Sequence, residues 1–325
     1  MCAVVVDVHT HFLEPSVMRE SAPRWILSGF GSRPFEPPPP DSPRARQTAA
    51  MLDPELQLAD LDRLGVDVHV LSASTVVQST AWAEATRQAE LDRRTNEACA
   101  RWVATAPERF VGSFTLPLRD EALALEELER AAGELRLRVA NLPAQVDGDY
   151  LGAPRFRPLW RRLAGLGVVA FVHPDGIRDP WFQEYSLWNS VGQPIEEAKV
   201  MASLILEGVF DELPELRVVV SHGGGYLPHY FGRLDRNVTN MPDSVRNLSR
   251  LPSDYLRSFH YDTCVYDVSI LQALADRVGA DRLVLGSDYP VGDTDHLGFV
   301  RSAGFSEREL EGILGATAAS LLGLS

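Results

Sequence analysis

Short runs of valine, leucine, isoleucine and phenylalanine, each bounded by turn residues, recur along this chain and alternate with longer helical stretches. The runs at 4–11, 66–73, 109–116, 138–144, 168–173, 217–222, 259–263 and 282–287 read as strands. Compact, β-branched runs of this length suit a sheet buried on both faces. The stretches 54–64, 81–106, 121–135, 155–166, 195–213, 227–237, 267–278 and 306–322 read as helices. Eight strands alternating with helices predict an α/β fold, a (β/α)8 TIM barrel. A doubly wound sheet would need a glycine-rich phosphate turn after its first strand. Here the first strand ends in His9-Thr10-His11, and Gly223-Gly224-Gly225 is only a tight turn after a later one.

The whole chain, 1–325, is read as one barrel domain. One segment breaks the rhythm. Residues 12–52, which include Pro37-Pro38-Pro39-Pro40 and several arginines, separate the first strand from the first clear helix. A long insertion in a compact domain is commonly a lid or a binding loop, so this segment is expected over the C-terminal mouth of the barrel.

Barrels of this kind carry their chemistry at the C-terminal ends of the strands. Strand one ends in His9 and His11, two residues apart and therefore expected on one face. Strand five ends in His173-Pro174, strand six in His222 before three glycines, and strand eight in Asp288-Tyr289-Pro290. Of the 8 histidines in the chain, half fall at these ends. That convergence outweighs reading any one of them as a surface histidine.

Three neutral imidazoles and one carboxylate suit zinc or another first-row divalent ion with an open coordination position. His9, His11 and His173 are the candidate nitrogen ligands and Asp288 the oxygen ligand; Asp288 as a base standing behind a ligand, or as a helix cap, stays open. His222 reads as a general acid/base beside the ion, since an imidazole near neutrality suits that work; a fifth ligand is the other possibility. His69 reads as a core residue, His229 and His260 as structural, and His296 as part of a polar loop. Asp7 either faces away or supports a ligand histidine from behind.

Composition narrows the classes. A net charge of −14 offers no basic footprint for nucleic acid. Mean hydropathy of −0.10 and the absence of a long apolar run give no membrane span. Cys2, Cys99 and Cys264 are scattered, without a C-x-x-C pair, which points to a reducing, cytoplasmic setting rather than a disulfide framework. Lys199 is the sole lysine and sits in the first turns of a helix, a poor place for a carbamylated bridge between two ions. A single-metal site is favoured.

With these residues in view, the chain resembles the amidohydrolase superfamily, in the 2-amino-3-carboxymuconate-6-semialdehyde decarboxylase branch. The resemblance runs through Asp7-Val8-His9-Thr10-His11, Asp53-Pro54-Glu55, Arg109-Phe110-Val111-Gly112, Phe171-Val172-His173-Pro174, Ser221-His222-Gly223-Gly224-Gly225, Gly232-Arg233 and Gly286-Ser287-Asp288-Tyr289-Pro290. It implies one zinc per chain (manganese in some relatives) on His9, His11, His173 and Asp288, with His222 as acid/base and Asp288 in the catalytic set. It also implies a homodimer in which Arg233 reaches the partner's small carboxylate substrate. A substrate-binding arginine in the first long loop is implied too, and Arg44 and Arg46 flank the matching position. Asp175 and Val291 stand where the family has tryptophan and phenylalanine, positions where substrate is read. The function expected is non-oxidative decarboxylation of a small unsaturated or aromatic acid. The alternative is hydrolysis or hydration of a lactone, C–C bond or double bond by the same groups; a binding protein that has lost catalysis is the remaining class.

Overall fold

The computed structural model describes residues 4–24, 36, 38–78, 80, 82–177, 179–241 and 248–324. Strands β1 (Val6–Phe12), β2 (Val68–Ala73), β3 (Phe110–Phe114), β4 (Val139–Leu142), β5 (Val169–Val172), β6 (Val218–Val220), β7 (Phe259–Asp262) and β8 (Leu283–Val284) pair in parallel, in chain order. The ring closes just past β8. Val8 N–H donates to Leu285 O at 2.8 Å, His11 N–H to Tyr289 O at 2.8 Å, and Tyr289 N–H to His9 O at 3.2 Å. The fold is the predicted (β/α)8 barrel.

The strands are apolar on both faces because both are covered. Val6, Val8, Val68, Val70, Val111, Val139, Val169, Phe171, Val219 and Val284 fill the interior, and Ala318 and Leu322 of the last helix seal its floor. The alternate residues, among them Phe110, Phe114, Leu142, Val172, Phe259 and Leu283, face the helical layer. Helices α1 (Pro15–Ser21), α2 (Pro43–Leu52), α3 (Pro54–Leu64), α4 (Ala85–Thr105), α5 (Glu121–Glu129), α6 (Arg157–Leu166), α7 (Gly192–Leu206), α8 (Gly232–Asn240) and α9 (Val268–Val278) contribute to that layer.

Two expectations change. The 12–52 segment is not helix-free: α1 and α2 lie within it, and its residues 25–35 and 37 lie outside the described residues. Both helices start on local signals, a side-chain cap (Glu14 to Val17 N–H, Ser42 to Ala45 N–H) followed by proline at the first helical position. The stretches 121–135 and 306–322 each contain a π-helical turn, at Arg130–Glu134 and Gly312–Ala316. In the second, a Cβ on Gly315 would lie 1.7 Å from Val4 O, so the helix widens where it meets the start of the chain.

Trp160 on α6 is fully buried and donates its indole N–H to Leu151 O at 2.6 Å. Trp160→Ala is expected to cost about 3–5 kcal/mol in urea unfolding. A loss below ~1 kcal/mol would show that α6 is not anchored through this side chain.

Candidate metal centre

Strict alternation along β1 would set Asp7, His9 and His11 on one face and the valines on the other. The structure does something different. The register of β1 against β2 shifts between Asp7 and Thr10, as in a bulge that absorbs an extra residue and re-aims the side chains beyond it. Val6 and Val8 therefore point into the barrel, and His9 and His11 do so as well. Asp7 faces the helical side, where its carboxylate accepts from His9 N–H (3.0 Å), Ser287 N–H (3.1 Å) and Ser287 Oγ (2.5 Å).

The inward histidines meet those of β5 and β6. The His9 ring centroid lies 5.1 Å from His11, 5.0 Å from His173 and 5.2 Å from His222. His173 lies 5.2 Å from both His11 and His222. Asp288 completes the group, with Oδ1 2.9 Å from His11 Nε2 and 3.4 Å from His9 Nε2. One ligand atom from each of His9, His11, His173 and Asp288 falls within 4.8 Å of all the others. Asp288 (φ 59°) and His222 (φ 49°) both hold left-handed backbone, which costs a non-glycine residue about 1–3 kcal/mol and concentrates at functional sites.

Each group has a holder. Asp262, at the end of β7, takes His9 Nδ1 at 2.6 Å through Oδ2. Its Oδ1 accepts the N–H of Gly223 (3.0 Å) and Cys264 (3.1 Å). Gln78 Nε2 donates to His173 O at 3.2 Å, and Gln193 Nε2 to Pro174 O at 3.0 Å. On α7, Glu197 Oε1 holds His222 Nδ1 at 2.5 Å and accepts from Ser221 Oγ at 2.7 Å. Gly286 leaves room for the crossing: a Cβ there would stand 2.6 Å from that of Asp262 and 2.9 Å from that of His9. In the turn after His222, a Cβ on Gly225 would lie 2.2 Å from Pro194 O, and its φ of +60° excludes most side chains.

Burial sets the electrostatics. Desolvation lowers the pKa of His9 and takes His173 well below the ordinary imidazole value, with neighbouring imidazoles adding to it for His173. For Asp288 burial pushes upward, but the charges of His9 and His11 and the bond to His11 outweigh it and bring the carboxyl down to about 2. Burial would likewise depress His222; the buried Glu197 carboxylate overrides it and lifts the imidazole to about 9. Asp262 stays below the usual carboxylate range because the His9 bond outweighs desolvation. Neutral imidazoles beside an ionised carboxylate are the protonation states a divalent cation requires. His9 Nε2 is buried and lacks a hydrogen-bond partner, so the cavity fits a cation there.

The three arginines are not part of this cluster. Arg46 on α2 makes two bonds to Asp60, at 2.6 and 2.8 Å, and Arg44 is exposed on the same helix. Arg233 is exposed on α8; Asp235, its near neighbour, instead accepts from Ser253 N–H at 3.0 Å. His69 is a core residue bonded to Gln57, whereas His296 is no loop residue but a buried first residue of a helix, 2.8 Å from Thr263 Oγ1. Asp262 and Glu197 escaped the sequence reading. Asp262 did leave a signal, a carboxylate at the C-terminal end of a predicted strand; Glu197 lies inside a helix and left none.

Comparison with known proteins points the same way. The Amidohydrolase family pattern matches residues 6–324. The 2-amino-3-carboxymuconate-6-semialdehyde decarboxylase of Dictyostelium discoideum is 32% identical over 277 residues, 84% of this chain and 77% of the relative. The crystal structure of 5-carboxyvanillate decarboxylase from Sphingomonas paucimobilis superposes with a TM-score of 0.86 at 25% identity, covering 99% of this chain and 100% of that one. A dihydroxybenzoic acid decarboxylase from Polaromonas sp. JS666, solved with bound manganese and the inhibitor 2-nitroresorcinol, gives a TM-score of 0.84 at 25% identity, covering 99% and 97%.

Gly286→Ala tests the packing of the centre without reference to any ion. Forcing a methyl between His9 and Asp262 is expected to cost about 1–3 kcal/mol in chemical unfolding. A variant as stable as the parent would mean that these two backbones can part freely.

Proposed function

The chain belongs to the amidohydrolase family, in the 2-amino-3-carboxymuconate-6-semialdehyde decarboxylase branch, and from that premise we propose that it is a metal-dependent, non-oxidative decarboxylase of a small unsaturated or aromatic carboxylic acid. The observation that carries the proposal is His222 standing edge-on to His9 and His173, with Nδ1 occupied by Glu197. Nε2 is then the nitrogen offered to a substrate. The decarboxylase names of the relatives in sequence and structure support the reaction class.

His9, His11, His173 and Asp288 would hold one divalent ion per chain. Three imidazoles with one carboxylate suit zinc, which is our assignment; the manganese in the Polaromonas relative makes that ion the alternative. When bound, the ion supplies Lewis-acid polarisation of substrate oxygens. Asp262 fixes the His9 tautomer, so that Nδ1–H points to the carboxylate and the Nε2 lone pair to the cavity. His222 delivers a proton to the carbon that loses its carboxyl group. The C–C bond breaks, its electron pair stays on that carbon and takes the proton, CO2 departs, and solvent reprotonates His222. A guanidinium would hold the carboxylate in a bidentate grip. With Arg46 engaged by Asp60, Arg44 and the partner's Arg233 are the donors we assign. The 12–52 segment would cover the mouth; its start and end are joined by Leu13 N–H to Met51 O at 2.7 Å. No helix among the described residues is long and apolar enough to cross a membrane. Cys99 and Cys264, both buried and unpaired as disulfides, support a cytoplasmic setting.

Release of CO2 from candidate aryl and unsaturated acids by the metal-loaded enzyme is the direct test; added water without CO2 would replace this reading with hydration or hydrolysis. His9→Ala and His173→Ala should lose metal and turnover together. His222→Ala should retain about one metal per chain by elemental analysis while turnover falls roughly 10²-fold or more. Loss of the metal from His222→Ala would make His222 a ligand.

A homodimer sharing Arg233 makes a separate prediction, since isologous two-fold assembly is the commonest closed arrangement. Inactive Arg233→Ala and inactive His222→Ala chains, mixed and exchanged, should recover activity. Each mixed dimer then holds one site with both groups intact. No recovery, with mixed dimers verified by mass, would confine Arg233 to its own subunit.

A further inference from the structure

Cys264 follows β7 by two residues and is buried, with its thiol 3.1 Å from the Tyr266 hydroxyl. It has no part in the mechanism above, yet it borders the same cavity. A ring nitrogen of His9, one of His222 and the Cys264 sulfur all lie within 4.8 Å of one another. On His9, Nδ1 is taken by Asp262, so the nitrogen facing this group is Nε2, which is buried and lacks a hydrogen-bond partner. On His222, Nδ1 is taken by Glu197, which leaves Nε2. The backbone on which the thiol stands is fixed, because Cys264 N–H is bonded to the same Asp262 carboxylate that holds His9.

We propose that His9, His222 and Cys264 form a second metal site, softer than the first and mutually exclusive with it, through which a thiophilic divalent cation inhibits the protein. The donor chemistry separates the two. Three imidazoles and a carboxylate accept borderline and harder first-row ions, while two imidazoles and a thiolate favour soft ones. Both sets need His9 Nε2, which can point at one ion only. An ion in the thiol site would also occupy His222 Nε2, the nitrogen assigned to proton delivery, so it would displace the resident metal and silence the acid/base together. On binding, the S–H proton and the proton on His222 Nε2 both pass to solvent and bonds to the ion take their places, with no oxidant or reductant required. The site rests on the positions of these three side chains, and its existence does not depend on which reaction the enzyme catalyses.

Cadmium is the probe. Full-length protein as purified, its metal content first measured, is titrated with Cd²⁺ and followed by thiolate-to-cadmium absorption in the ultraviolet and by cadmium-113 NMR. The expected result is one thiolate-ligated cadmium per chain, with resident metal released in step. Cys264→Ser should lose the absorption and weaken cadmium binding about 10-fold or more, whereas Cys99→Ser should keep both. Inhibition by cadmium of whatever turnover is measured should weaken by a similar factor in Cys264→Ser. A cadmium resonance in the nitrogen–oxygen range in the parent protein would overturn the site, and so would absorption undiminished in Cys264→Ser. Cadmium bound at full stoichiometry with the resident metal retained would overturn the mutual exclusion. If Cys264→Ser fails to fold by circular dichroism, the NMR of the parent protein still decides.

Discussion

Everything at the mouth of this barrel hangs on the seam where the sheet closes. β1 must pair on one side with β2 and on the other with a segment too irregular to continue β8 as a strand. It does so through single backbone hydrogen bonds, from Val8 to Leu285 and to and from Tyr289, and through the Asp7 carboxylate on Ser287. That seam is also the proposed metal site. The bonds that close the ring set His9 and His11 opposite Asp288, so the spacing of the proposed ligands is a by-product of barrel closure and is as rigid as the sheet. Asp7 shows the cost. Burial lifts its carboxyl to about 7 despite three hydrogen bonds, an expense the fold bears to clamp the irregular strand.

A second constraint arises from packing imidazoles together. His9, His11, His173 and His222 crowd one another, and burial with neighbouring imidazoles penalises the charged forms of His9 and His173. Such a cluster persists only if carboxylates or a cation compensate it. Asp262, Asp288 and Glu197 are the compensation, and each is aimed at a different ring. Asp262 fixes the tautomer of His9, Asp288 faces the interior, and Glu197 is reserved for His222. That partition biases His9 and His173 toward the neutral form able to donate lone pairs and His222 toward the cationic one.

Much of this is legible in the chain itself. Buried strands announce themselves because both faces are apolar, and polar residues at their C-terminal ends then stand out against valine. His9, His11, His173, His222 and Asp288 are visible for that reason. Asp262 obeys the same rule and is easily passed over because the run His260-Tyr261-Asp262-Thr263 offers no metal-ligand pattern. Glu197 is invisible for a different reason. Its partner is 25 residues away, and a carboxylate within a helix looks like any solvated one until tertiary packing buries it. The bulge in β1 is also beyond sequence reasoning: alternation predicts the right pair of inward histidines by the wrong geometry, since Val8 faces inward with them. In 12–52, the proline run masks capping signals at Glu14 and Ser42 that are present in the letters.

The arginines expected near substrate lead to a last structural point. Asp60, almost fully buried on α3, receives Arg46, Arg63 and the Tyr289 hydroxyl (2.6 Å) on one carboxylate. A single buried acceptor with three donors is satisfied in only one arrangement, so it ties three pieces together: α2, from the 12–52 segment; α3, from the helical layer; and the residue immediately after Asp288. Tyr289 is in turn bonded through its backbone to His9 and His11. A displacement of α2 therefore cannot stay local; it must either break a bidentate guanidinium pair or pull on the seam that positions the ligands. A helix of the long insertion and the centre of the candidate site are thus mechanically joined, even though no side chain of α2 belongs to the histidine–aspartate cluster.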